Sequence, residues 1–348
     1  MNNLEVKIQN KTVGGDNPCY IIAEIGSNHN NNYNTALELI DAASDSGADA
    51  VKLQTFRASQ HYSKYSPKIL QSDGSYIDPY LLVESLEMDR EWISGLTKYA
   101  SSKSIHLFSS PCDLDAISLF SSVDSPAYKV ASFDLTDLKL VEEIAKIKKP
   151  IILSTGLANY ADIQRAVNTC KNNDNNNIIL MQCTSVYPAP VSLSNLNTIR
   201  TIRLAFNVVT GYSDHTLGDH ICIAAVALGA SVIEKHFTLD AKLAGPDHHF
   251  AIEPNGLRAM VDKIHDIEVA LGDGVKDGPR AEEVELYEKA RRSIHAAIKI
   301  KKGEVIIDSM LCVKRPSYGI DPYLIQKIIG RKAKRDIDAD KWITWEDI

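Results

Sequence analysis

Long apolar runs are missing from this 348-residue chain. The longest, Ile221 to Ala230, is about half of what a membrane-crossing helix needs, and it suits a buried helix. A Cys-x-x-Cys pair is missing too. The six cysteines are scattered, and Cys183 and Cys222 sit in apolar surroundings as expected buried thiols. A basic surplus is absent: the formal net charge is -7, which removes the electrostatic case for nucleic acid as the main partner. That balance leaves room for a local basic pocket for a small anion. Met1 to Lys11 is polar and lacks the apolar core of a secretory signal. Together these absences lead us to expect a reducing, cytoplasmic setting with no membrane. No collagen-like, mucin-like or long disordered composition is present either.

What the chain does contain is rhythm. Strands are predicted at Tyr20–Ile25, Ala50–Gln54, Ile105–Phe108, Ala127–Val130, Pro150–Leu153, Ile178–Met181, Asn207–Thr210 and Ser231–Glu234. Each is followed by a helical pattern: Thr35–Ser46, Asp89–Ser101, Asp113–Phe120, Asp137–Lys146, Tyr160–Cys170, Leu193–Leu204, Asp219–Leu228 and Asn255–Leu271. Gly47 ends the first helix, since glycine takes the left-handed position there without strain. Eight short apolar strands alternating with helices are what a (β/α)8 barrel requires. A doubly wound open sheet is the alternative, but it would more often use fewer strands and a glycine-rich first turn, and no GxGxxG opens a helix here.

Three stretches stand outside the rhythm. Met1 to Pro18 alternates as a short hairpin that would cover the barrel bottom. Gln60 to Leu86, rich in tyrosine and proline, is long enough to form a lid over the open rim. Past Leu271 a glycine-rich, charged linker at 273–290 leads to a small β-rich domain at 291–348. The barrel domain is set at 1–272. The small domain would need support from the barrel or from another subunit.

Catalytic side chains in a barrel come from the C-terminal ends of its strands. Those ends collect Glu24, Lys52, Gln54, Ser110, Lys129, Ser132, Ser154, Ser185, Ser213, His215, Glu234 and His236. Lysine inside a strand is costly unless it reaches solvent, a carboxylate or an anionic ligand. Lys52 and Lys129 amid recurring serines therefore read as an anion site, against the alternative of internal salt bridges to Glu24 and Glu234. Lys235 is a third strand lysine of the same kind. His215 and His236 end neighbouring strands and are the candidate metal ligands. Their imidazole and oxygen setting fits Mn2+, Fe2+, Co2+ or Zn2+. Gly245-Pro-Asp-His248 then offers Asp247 and His248 to a polyhydroxylated ligand, with Tyr212 and His248 to Phe250 as further pocket candidates.

The motifs Ile21-Ile-Ala-Glu-Ile-Gly-Ser-Asn-His-Asn30, Gly47-Ala-Asp-Ala-Val-Lys-Leu-Gln-Thr55, Tyr128-Lys-Val-Ala-Ser132, Ser154-Thr-Gly156, Gly211-Tyr-Ser-Asp-His-Thr216, Glu234-Lys-His-Phe-Thr238 and Gly245-Pro-Asp-His248 resemble the sialic acid synthase family. Arg291-Arg-Ser293, Ile300-Lys-Lys-Gly-Glu304 and Val313-Lys-Arg-Pro316 resemble its antifreeze-like (SAF) domain. The resemblance implies condensation of phosphoenolpyruvate with an N-acetylated hexosamine to a nine-carbon 2-keto sugar acid. It implies a divalent metal on His215 and His236, most of all Mn2+ with Mg2+ or Co2+ as alternatives. Lys52, Ser110, Lys129, Ser132, Ser154, Ser185 and Ser213 would bind phosphoenolpyruvate. Glu24 would handle water or a proton. Gln54, Asp134, Tyr187 and Asp247 would meet the sugar, together with Arg315 from the partner in a domain-swapped homodimer. Ala131-Ser-Phe-Asp134 departs toward pseudaminate synthases, so a 6-deoxy-2,4-diacetamido sugar stands beside an N-acetylmannosamine-like one, and a legionaminate synthase is a further reading. The rival classes are a 3-deoxy-sugar-phosphate synthase, which would need a second basic cluster, and a non-enzymatic carbohydrate- or ice-binding protein, which would have no use for the barrel-end lysines.

Overall fold

The apolar runs close on themselves. In this computed structural model, which describes residues 4–70 and 76–348, eight parallel strands form one closed barrel in chain order. They are β1 Tyr20–Gly26, β2 Ala50–Thr55, β3 His106–Pro111, β4 Tyr128–Val130, β5 Ile151–Ser154, β6 Ile178–Cys183, β7 Val209–Asp214 and β8 Val232–His236. The helices that follow them are α1 Tyr33–Asp45, α2 Trp92–Ser102, α3 Leu114–Ser122, α4 Leu138–Lys146, α5 Tyr160–Asn172, α6 Asn197–Phe206, α7 His220–Ala227 and α8 Pro254–Leu271. This is the (β/α)8 barrel.

Local chemistry sets the helix ends. The Asn32 side chain accepts from the amides of Asn34 and Thr35 to cap α1, and Asp137 does the same for α4. Gly47 follows α1 with φ of 86°, the conformation that glycine adopts without a Cβ penalty. Each helix lays an apolar face on the strands; α4 buries Leu140, Val141, Ile144 and Ala145.

Seven of the eight strands run past their predicted ends, four of them by two residues or more. β3 reaches Pro111, β6 Cys183, β7 Asp214 and β8 His236. The apolar pattern stops earlier, but ladder hydrogen bonds between neighbours do not depend on side-chain polarity, so pairing continues into the polar tips.

Inside the barrel, period-two alternation stacks the inward residues into layers. The lower layers are apolar: Tyr20, Ile22, Phe108, Ile152, Val209 and Val232 share one buried cluster. Two residues further along each strand the inward positions become Glu24, Ser110, Ser154 and Glu234. Gly211 sits between these layers because a Cβ there would lie 2.6 Å from the Val232 carbonyl oxygen.

The predicted N-terminal hairpin forms, pairing Glu5–Ile8 with Lys11–Gly14. Its Val6, Ile8 and Val13 join the lower cluster and floor the barrel. The Gln60–Leu86 insertion holds a short helix at Pro79–Ser85 and a two-residue ribbon pairing Ile69–Leu70 with Tyr76–Ile77. Positions 71–75 of that expected lid lie outside the described residues.

Contacts divide the chain into Met1–Gly272 and Asp273–Ile348. The second unit pairs Ser293–Ala296 with Leu311–Lys314. Its core is nearly all isoleucine, with Ile294, Ile300, Ile306, Ile320, Ile337 and Ile343 buried together. Within the stretch expected as linker, Val284–Ala290 is helical.

Ile8 is fully buried in the floor. Ile8→Ala is expected to lower the unfolding free energy of the barrel unit by about 2–5 kcal/mol, read by urea denaturation.

Candidate active site

A cavity of about 370 Å3 opens at the C-terminal ends of the strands. Lys52, Gln54, Ser110, Lys129, Ser132 and Ser154 line one part of it. Ser213, His215, His236, Asp134, Tyr187 and Asp247 line the rest. Glu24 lies beneath, fully buried.

The floor of the cavity is a charge cluster. Lys52 Nζ contacts Glu24 Oε2, lies 3.9 Å from Glu234 Oε2 and donates to Ser110 Oγ at 3.3 Å. Gln54 donates to the other Glu24 oxygen at 2.9 Å, and Ser213 donates to Glu234 at 2.9 Å. The two sequence readings of Lys52 therefore combine, since it is paired with carboxylates and also faces the cavity. Burial pulls the Lys52 ammonium down, but Glu234 and Glu24 together hold it above its ordinary range. Burial pushes Glu234 up, yet Lys129, Lys52 and the Ser213 hydroxyl bring it to about 2.

Lys129 differs. Its ammonium donates to Ser154 Oγ at 2.5 Å and to the Val130 carbonyl at 3.1 Å. Burial dominates and lowers its pKa. A desolvated cation whose direct contacts are neutral oxygens is a seat for an anionic ligand. Beside it, Ser132 Oγ accepts the Gly156 amide at 3.0 Å. A Cβ on Gly156 would lie within 2.5–2.9 Å of Ser185 Oγ, Cys183 Sγ and Ser132 Oγ, so glycine keeps this cradle open.

The histidines face each other across the rim, ring centroids 5.4 Å apart. His215 Nδ1 donates to the Thr184 carbonyl at 2.6 Å, leaving the Nε2 lone pair free. Burial, reinforced by His236, lowers His215 to about 4, so it is neutral at pH 7, the form that ligates metal. His236 Nδ1 lies 3.4 Å from Asp247 Oδ2. Burial opposes its charge, but Asp247 raises its pKa. A carboxylate behind one imidazole nitrogen with the other nitrogen free is the usual outer-shell arrangement of a metal-binding histidine. The donor set is thus suited to a borderline divalent ion. Among the described residues no three His, Cys, Asp or Glu side chains converge as a closed metal site. An ion here would keep open positions. The Tyr187 ring packs on His215 at 4.2 Å between centroids.

Several expectations change. His248 is fully buried, bonded to Thr238 Oγ1 at 2.7 Å and Asn30 Oδ1 at 3.2 Å, so it does not offer itself to a ligand. Tyr212 points between barrel and helices, not into the cavity, because it alternates with inward Gly211 and Ser213. Cys183 lines the cavity 3.0 Å from Ser132 Oγ, and Cys222 touches the Asp214 carboxylate at 3.2 Å. Neither thiol is in purely apolar surroundings. Lys235 faces away from the cavity and pairs with Asp214. Ser185 lies at the cradle's edge. Arg315 is exposed on the second unit.

Sequence reasoning missed the cavity's apolar wall. Phe56, Leu82, Val83 and Leu86, from the insertion and its approach, line it with His61, Tyr62 and Phe133. Only the insertion's placement after β2 hinted at this.

The NeuB family profile matches residues 39–276, and the SAF domain profile matches 291–348. The chain belongs to the NeuB family. It is 40% identical over 328 residues to an N,N'-diacetyllegionaminic acid synthase of Campylobacter jejuni, covering 93% of this chain and 98% of that one. It is 38% identical over 339 residues to a pseudaminic acid synthase of Helicobacter pylori, covering 95% and 98%. The solved N-acetylneuraminic acid (sialic acid) synthetase of Leptospira borgpetersenii, in complex with citrate, superposes with a TM-score of 0.74 at 33% identity, covering 82% of this chain and 96% of that one. No helix among the described residues is long and apolar enough to cross a membrane.

His29, in the loop between β1 and α1, is buried edge-on against Trp92 at 5.8 Å. Burial lowers it to about 4. The unfolded chain binds a proton here near pH 6.5 that the folded chain refuses until about pH 4. Folding stability is therefore expected to be complete above pH 6.5 and to fall as pH drops toward 4. Urea titrations of His29→Gln are expected to show a shallower fall across this window.

Proposed function

We propose that this chain condenses phosphoenolpyruvate with the open aldehyde form of an N-acetylated, N-acetylmannosamine-like hexosamine. The products are a nine-carbon 2-keto sugar acid and inorganic phosphate. The observation that carries the reading is one cavity with a lysine and serine anion seat on one side and the His215–His236 pair on the other. Membership of the NeuB family supports it.

Lys129, Lys52 and the hydroxyls of Ser110, Ser132, Ser154 and Ser213, with Ser185 at the edge, hold the phosphate and carboxylate of phosphoenolpyruvate. C3 of phosphoenolpyruvate forms the new bond to the aldehyde carbon, and the aldehyde oxygen takes up a proton. The positive charge left at C2 is captured by water, which gives up a proton. The bond from C2 to the phosphate ester oxygen then breaks, phosphate leaves with both electrons, and the C2 hydroxyl passes its proton to the departing phosphate as the ketone forms. Glu24 orients that water or accepts its proton, a role supported by its contacts with the cavity residues Lys52 and Gln54. His215 and His236 would hold Mn2+, with Mg2+ or Co2+ as substitutes, supplying Lewis acidity toward the aldehyde oxygen. Gln54, Asp134, Tyr187 and Asp247 face the sugar.

A second acceptor, a 2,4-diacetamido-2,4,6-trideoxyhexose, is favoured by one observation. Phe133, Leu82, Val83 and Leu86 give the outer cavity an apolar wall suited to a methyl and an acyl group. Relatives named as legionaminic and pseudaminic acid synthases support this reading.

A homodimer completes the reading, with the partner's small domain supplying Arg315 to the sugar's N-acetyl group. The charge pattern supports it: residues 291–348 hold thirteen Lys and Arg against eight Asp and Glu, in a chain of net charge -7. Six free thiols fit a reducing cytoplasm.

Supplied with Mn2+ and phosphoenolpyruvate, the protein is expected to release phosphate with an acetamido hexose and none with arabinose 5-phosphate. The reverse preference overturns the assignment. Chelation of the metal is expected to abolish release. Lys129→Met is expected to lower kcat/KM for phosphoenolpyruvate on the order of a hundredfold. Phe133→Ala is expected to raise KM for the diacetamido sugar more than for N-acetylmannosamine.

A further inference from the structure

Asp214 and Lys235 take no part in the cavity, yet each immediately precedes one of the two rim histidines. They are register partners across β7 and β8. Alternation turns both outward from the lumen, into the layer between strands and helices, where side-chain exposure is 0% for Asp214 and 2% for Lys235. Lys235 Nζ lies 2.5 Å from Asp214 Oδ2 and donates to the Thr216 carbonyl at 2.6 Å. One ammonium thus grips the side chain before His215 and the backbone after it.

The grip is reinforced. Asp214 Oδ1 accepts the Thr216 amide at 3.0 Å, and Oδ2 accepts the Thr216 hydroxyl at 3.2 Å. The Cys222 thiol of α7 donates to the same oxygen at 3.2 Å. The loop that carries His215 is therefore tied to β8 one residue before His236. A buried ion pair is weak evidence for stability, because desolvation offsets most of the Coulomb attraction. Its value lies in where it fixes the backbone.

We infer that Asp214 and Lys235 are positioning residues that set the His215–His236 separation and so tune the affinity of the rim for a divalent ion. This rests on the metal reading proposed above. Ladder pairing holds β7 to β8 as far as Asp214 and Lys235, and the ion pair with its bond to the Thr216 carbonyl extends that hold past His215; small errors in ligand placement are costly to a site built from only two protein ligands.

The test measures Mn2+ binding directly, by the paramagnetic resonance signal of free Mn2+, in the absence of substrate. The double variant Asp214→Asn/Lys235→Met leaves no unpaired buried charge. It is compared with Ile144→Ala, a core truncation in α4, and with thermal midpoints of each protein. Weakening of Mn2+ binding by about tenfold or more in the double variant is expected, as for outer-shell changes at metal sites. Ile144→Ala is expected to lose stability but keep wild-type affinity. Should the double variant lack a cooperative transition, Lys235→Gln serves in its place. Its amide is uncharged and a bond shorter than the lysine ammonium, so it does not reach both acceptors and the same weakening is expected. Unchanged affinity in the folded variants, with wild type binding and His215→Ala not binding, overturns this inference alone. Failure of wild type to bind Mn2+ overturns the metal reading and this inference with it.

Discussion

Two lysines and two glutamates are buried together beneath the cavity, and much else follows from their balance. Lys52 stands between Glu24 and Glu234, while Lys129 contributes to holding Glu234 ionised from further off. Removing one member of such a cluster typically costs about 3–5 kcal/mol, because its neighbours are left buried and uncompensated. The barrel must therefore be closed and in register before these charges are tolerable. Lys52 and Lys129 together balance the two carboxylates, yet the direct contacts of Lys129 are neutral oxygens, which leaves its ammonium facing the cavity without a carboxylate in contact. Affinity for an anion and integrity of the barrel top thus draw on the same few side chains.

The polar rim is built by arithmetic as much as by chemistry. Inward positions alternate along every strand, and the change from apolar to polar occurs at the same height on most of them. Tyr20 and Ile22 give way to Glu24, Phe108 to Ser110, Ile152 to Ser154, and Val232 to Glu234 and His236. The hairpin floors the apolar end, and the cavity opens at the other.

Much of this was legible in the sequence because strands impose a period. Lys52, Lys129, Ser154, Ser213, His215 and His236 announce themselves as polar ends of apolar runs, and their convergence follows from the barrel itself. The same logic applied carefully would have turned Tyr212 and Lys235 outward, since each neighbours an inward residue. His248 was different. It sits in an irregular loop where no period assigns a face, and only the three-dimensional contacts with Thr238 and Asn30 reveal that it is structural. The apolar wall from Leu82, Val83 and Leu86 was illegible for a similar reason: the insertion carries no repeat that fixes which side meets the cavity.

The register of the last strand against the first carries a further meaning. His236 stands opposite Glu24 only because β8 pairs with β1, joining residues more than two hundred positions apart. The site is therefore a product of ring closure. A growing chain that has emerged as far as β7 already owns Lys52, Lys129 and His215, yet its Glu24 edge is open to water and its second imidazole does not exist. Completion of the barrel and assembly of the cavity are the same event, and a fragment that lost the final strand would lose Glu234 and His236 together.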